Sequence, residues 1–130
     1  MKDNKNQNKI LNSKINDFKS QLTDAIEECN AVYITSHKDP DFDAIASMGA
    51  MGLICKKLKK SPYLVIDEED FKNLKQREHD MFDKIKDKFV LINMDDYNNN
   101  KLENSLLIVV DVNKTFRTPF KNNYKDFKNV

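Results

Sequence analysis

Ser36-His37-Lys38-Asp39-Pro40-Asp41-Phe42-Asp43 gathers one imidazole and three carboxylates into eight residues. A further aspartate, Asp111, closes the apolar run Leu106-Leu107-Ile108-Val109-Val110. Carboxylates crowded together repel one another unless a cation neutralises them. Oxygen donors beside an imidazole suit a hard or borderline divalent ion such as Mn²⁺ or Mg²⁺ better than a thiophilic one. A carboxylate shared by two such ions holds them roughly 3.5–4 Å apart, where they can activate a bound water and neutralise phosphoryl oxygens during in-line displacement. Metal-assisted attack on phosphorus is therefore the chemistry open to these side chains.

They can act together only if the chain delivers them to one place. Ala31–Thr35 (AVYIT) is short, apolar and β-rich, and predicts a buried strand ending just before His37. Similar runs predict strands at 63–66, 89–92 and 106–110, the last ending at Asp111. Between them, Leu11, Ile15, Phe18, Leu22 and Ile26 recur at helical spacing, predicting a helix over 12–30. Residues 44–58 predict a helix apolar nearly all round, packed on a sheet and on something besides. The charged segment 68–88 predicts one or two short helices, 94–104 has room for another, and 118–130 reads as turn-like without a clear pattern. Near-continuous apolar strands alternating with helices predict an α/β fold, an open parallel sheet of about four strands with helices on both faces. In such a sheet ligands bind at the carboxyl ends of the strands. His37, Asp41, Asp43 and Asp111 are thus expected at one rim, beside the free N–H groups of the helix that follows.

The stretch His37-Lys38-Asp39-Pro40-Asp41-Phe42-Asp43-Ala44-Ile45-Ala46-Ser47 resembles the H-x-x-P-D-x-D-A-I-G-S motif of DHH-family phosphoesterases. Asp111, closing LLIVVD, resembles that family's second motif, and LLIVVDVNKTFRTP is most similar to the cyclic-di-AMP phosphodiesterases within it. The resemblance covers 31–130. It implies a Rossmann-like DHH domain binding two Mn²⁺ ions, with His37 and Asp41 on one ion, Asp43 on the other and Asp111 bridging both. It implies hydrolysis of a cyclic dinucleotide to a linear one; a nano-RNA or pAp phosphoesterase of the same family is the alternative, with a short oligonucleotide as substrate. Two departures, Ala46 for Gly and Asn113 for His, fall outside the implied ligands. The family's Asp-His-His motif, its later Asp and its C-terminal substrate domain do not stand in these residues. Asn129-Val130 also reads as the start of a further strand. The expectation is a partial catalytic domain over 11–130, inactive on its own, behind a disordered polar tail over 1–10. The parents of such domains are often membrane-anchored.

Composition narrows the alternatives. Lys+Arg number 22 against 21 Asp+Glu, a net charge of +1, so no global field draws the chain to duplex nucleic acid or to a membrane. No apolar run reaches membrane-spanning length and no apolar stretch follows the charged start, so a cytoplasmic setting is expected. Cys29 and Cys55 lack metal or redox spacing and are read as buried thiols. Among plainer readings, Asp39 is a turn residue before Pro40, Asp43 caps the following helix, His79 is solvated, and Asp67 to Asp70 form an acidic helix start. Lys114 and Arg117 are candidates for phosphate contact, beside the plainer reading of basic residues in a polar loop with no specific role. A non-catalytic module, holding one metal or forming a homodimer through a free sheet edge, is the reading from another class.

Overall fold

The structure, a computed structural model, describes residues 2–111, 119, 120, 126 and 127. Its elements run α1 (Lys2–Glu28), β1 (Ala31–Thr35), α2 (Phe42–Lys57), β2 (Tyr63–Val65), α3 (Glu68–Lys72), α4 (Gln76–Lys86), β3 (Val90–Ile92), α5 (Met94–Asn100) and β4 (Ser105–Val109). The four strands form one all-parallel open sheet in the order β3-β2-β1-β4. The α/β architecture is the one the alternation of apolar runs and helices predicts.

The period of two along each strand divides the core between two faces. Val32, Ile34, Leu64, Leu106 and Ile108 point to the face covered by Ile26 of α1, Ile45, Met48 and Cys55 of α2, and Phe82 and Ile85 of α4. Ala31, Tyr33, Val65 and Leu107 point to the other, where Tyr97 of α5 meets Phe120 and Phe127. Those two phenylalanines come from 118–130, which the sequence left without a pattern. Phe120 is fully enclosed, and its ring lies edge-on to Tyr97 at 4.8 Å. Both thiols are free and buried. Burial, with Cys29 nearby, pushes the Cys55 thiol up to about 11, so it stays protonated and packs as a small apolar group.

Helix α1 begins at Lys2, so residues 2–10 continue the helix in place of the disordered tail expected there. No glycine or proline interrupts 2–28, and nothing in that stretch stops a helix once the apolar positions further along dock it. Helix α2 starts two residues earlier than the pattern placed it, because Asp41 and not Asp43 is its N-cap. The Asp41 backbone is extended, and its side chain accepts a hydrogen bond from the Ala44 N–H at 2.8 Å. His79, expected in solvent, sets its ring edge-on to Phe71 at 5.1 Å. Among the described residues no helix is long and apolar enough to cross a membrane.

Candidate metal centre

The sheet order places β1 between β2 and β4. The chain steps outward from β1 to β2 and β3, then returns to the other side of β1 for β4. The strand order therefore reverses between β1 and β4, and the crevice at their carboxyl ends is the topological switch point where open α/β sheets bind ligands. The parallel register runs from Ala31 opposite Ser105 to Thr35 opposite Val109. One further bond, from the Val110 N–H to the Thr35 carbonyl at 3.0 Å, carries the pairing past the strand ends. Continuing that register by two residues sets His37 level with Asp111.

Three of the four residues singled out as ligands meet there. Nε2 of His37 lies 3.4 Å from Oδ2 of Asp111 and 3.9 Å from Oδ1 of Asp41. One donor atom from each of the three lies within 4.8 Å of the others. Asp43 stands exposed in the first turn of α2, outside that group. Asp111 itself adopts a left-handed backbone, φ 60°. Aspartate tolerates this conformation better than most residues, and it turns the chain sharply where β4 ends. Lys114, Arg117 and Asn113 lie outside the described residues.

The imidazole is oriented from its other nitrogen. Nδ1 is 2.6 Å from the Lys38 carbonyl oxygen, which can only accept, so Nδ1 carries the proton and donates it. Nε2 then faces the two carboxylates. A metal-ligating histidine is ordinarily held in this way, through a backbone carbonyl on the far ring nitrogen. Bonds of roughly 2.1 Å at right angles put neighbouring donors about 3 Å apart, so modest side-chain rotations separate the present spacing from one that holds an ion. The donor set, one imidazole nitrogen and two half-exposed carboxylates, suits Mn²⁺ or Mg²⁺.

No family model matches the chain, and no curated protein matches it.

The surroundings of the cluster are acidic. A cleft of about 280 Å³ opens beside Asp41 and is lined by Asp39, Asp70, Asn73, Lys75 and Glu78. Asp70, on α3, is held above the usual carboxylate range by burial. The neighbouring carboxylates of Asp39 and Asp67 add to that rise, and a hydrogen bond from the Asp39 backbone opposes it. Cations approach from α4: Lys75 lines the cleft, and the Arg77 guanidinium stacks 4.3 Å from the centre of the Phe42 ring. A groove of about 620 Å³ lies elsewhere, along the outer edge of β4 against Phe18, Leu22, Ala25 and Met51. Its lining is mainly apolar beside Gln21, Asp24 and Glu28, and it carries none of the candidate ligands.

Two polar side chains around the cluster escaped the sequence reading. Ser36, directly before His37, is 3% exposed, and Asp70 lay unremarked within an acidic helix start. A small polar residue closing a buried strand was the available signal for Ser36. Nothing in the sequence signalled that Asp70 returns to the β1–α2 loop.

Proposed function

We propose that this chain carries part of the catalytic centre of a Mn²⁺-dependent phosphodiesterase, with a cyclic dinucleotide, cyclic-di-AMP foremost, as its substrate. The observation that carries the metal centre is the His37 arrangement. A ring fixed through Nδ1 turns Nε2 toward Asp41 and Asp111 at the crevice where the strand order reverses. The phosphodiesterase reading and the substrate rest on the motif resemblance, which assigns the same three residues, with Asp43, as ligands. Ions held by these residues would supply an activated water and charge neutralisation at phosphorus. The chain's own part is to hold and orient. His37 and Asp41 ride on one loop, Asp111 closes β4, and Asp43 stands in the first turn of α2, where it could join if a second ion bound. The proposed setting is cytoplasmic.

The test is Mn²⁺ titration by calorimetry on the 130-residue chain and on Asp111→Asn. Asparagine keeps the left-handed backbone accessible and removes one charged ligand. The expected result is saturable binding that Asp111→Asn weakens at least tenfold. Equal binding by both proteins, or none by either, contradicts the centre. Three convergent donors suffice for one ion and not for a two-metal site, so turnover by this chain alone is expected to be negligible. Comparing cyclic-di-AMP with a linear dinucleotide, on a protein that carries the full ligand set, separates the cyclic-dinucleotide enzyme from a nano-RNA or pAp phosphoesterase.

A further inference from the structure

Ser36 joins two well-anchored residues. Thr35 before it donates its hydroxyl to the Val65 carbonyl at 3.0 Å, and His37 after it donates to the Lys38 carbonyl. The Ser36 side chain points inward, 3% exposed, and its Oγ has no hydrogen-bond partner. Oδ2 of Asp70 is likewise enclosed and without a partner. Buried polar atoms are rarely left so, and two of them near each other call for a common explanation. Both residues line one small cavity beneath the His37 loop, bounded also by His37, Pro40 and Met48. Its volume is about 10 Å³, room for a single water. A water there accepts from the Ser36 hydroxyl and donates to the Asp70 carboxylate, which satisfies both atoms at once.

We infer that Ser36 is a positioning residue of the metal centre, sharing one buried water with Asp70 beneath His37. The inference rests on the proposed centre, since what is positioned is the loop carrying two of its ligands. The Lys38 carbonyl fixes the imidazole from the solvent side, and the Ser36–water–Asp70 link fixes the floor of the same loop from α3. The link joins the β1–α2 loop to a helix more than thirty residues further along the chain. Outer partners of this kind typically govern metal affinity without touching the ion.

Mn²⁺ affinity is to be measured for the wild type, Ser36→Ala, Asp70→Ala, Asp70→Asn and the Ser36→Ala/Asp70→Ala double variant. Each alanine variant is expected to bind about tenfold more weakly. The double variant should bind no more weakly than Asp70→Ala alone, because that change already removes the water link together with the hydrogen bond from the Asp39 backbone. Asp70→Asn keeps an oxygen facing the cavity and should stay within about threefold of wild type, a rescue that a loss of general stability does not give. Wild-type affinity in Ser36→Ala, or losses that multiply in the double variant, overturns the inference. Amide hydrogen exchange on the metal-free proteins tests the link apart from the metal. Exchange over 37–41 should be faster in Ser36→Ala than in the wild type, and unchanged exchange overturns the link. Failure of the wild type to bind Mn²⁺ counts against the centre alone, and the exchange result then decides the link.

Discussion

One oxygen of Asp41 serves two purposes. Oδ1 accepts the Ala44 N–H that begins α2 and also faces His37 Nε2 at 3.9 Å. Asparagine caps a helix as well as aspartate does, whereas alanine in place of a cap costs about 1 kcal/mol. Asp41→Asn is therefore expected to unfold in urea at the wild-type midpoint and Asp41→Ala at a lower one, while both lose Mn²⁺ affinity by tenfold or more. An affinity loss confined to the alanine variant would mean that Asp41 acts on the metal only through the helix. The same reasoning favours Asp111→Asn over alanine as a probe. At φ 60° an alanine adds a backbone cost of roughly 1–2 kcal/mol that has nothing to do with metal binding.

At the scale of elements, α2 matters most, because it presents Asp41 and Asp43 and packs against both the sheet and α4. Its two glycines permit that approach to different degrees. A Cβ on Gly52 would stand 2.7 Å from the Phe89 ring, which is itself buried, whereas one on Gly49 would meet only the flexible Cδ1 end of Ile85 at 3.2 Å. Alanine in place of glycine gains about 1 kcal/mol of helix propensity, and forced overpacking typically costs 1–3 kcal/mol. Gly52→Ala is expected to lower stability by about 1 kcal/mol net, and Gly49→Ala to raise it by up to about 0.5 kcal/mol. Denaturant midpoints of the two variants, shifting in opposite directions, are the check; equal shifts would mean that α2 sits further from Phe89 than described. The sides of α2 away from these contacts leave Leu53 and Ile54 exposed, so the near-continuous apolar character of that helix is only partly used within the described residues.

At the scale of the molecule, the second face of the sheet depends on a residue outside α1–α5 and β1–β4. Phe120 is fully buried against Tyr33, Tyr97 and Phe127. Nearby, the Tyr97 hydroxyl donates to Asp126 at 3.0 Å, and Asp126 also meets Lys101 at 3.5 Å. Burial, together with that carboxylate, raises the Tyr97 phenol above its ordinary range. Phe120→Ala removes a large buried ring from this layer and is expected to cost about 3 kcal/mol, a large share of the 5–15 kcal/mol typical of a domain. Chemical denaturation measures it directly. A loss below 1 kcal/mol would show that the layer over Tyr33 is not closed by Phe120.

Much of this arrangement was legible along the chain. Runs such as Val32-Tyr33-Ile34 and Leu106-Leu107-Ile108 are apolar at every position, which only a strand covered on both faces tolerates, so strand identity and the α/β class followed from local pattern. His37, Asp41 and Asp111 were legible too, because each directly follows such a run or its turn, and parallel strands deliver their carboxyl ends to one side. The strand order was not legible. That β4 returns beside β1, and so sets Asp111 level with His37, depends on which strands pair, and pairing is decided by packing over the whole core. Phe120 and Phe127 were missed because no periodicity marks them; only the open face above Tyr33 makes them core. Asp41 displaced Asp43 as the helix cap because capping depends on backbone angles fixed by the fold. Local hydrophobic pattern and residue chemistry thus determined the class, the elements and the candidate ligands. The tertiary structure alone decided the separation of Asp111 from His37 and the nearness of Asp70 to Ser36, since these join segments far apart in the chain, and it set the loop backbone that tethers Nδ1 to the neighbouring Lys38 carbonyl.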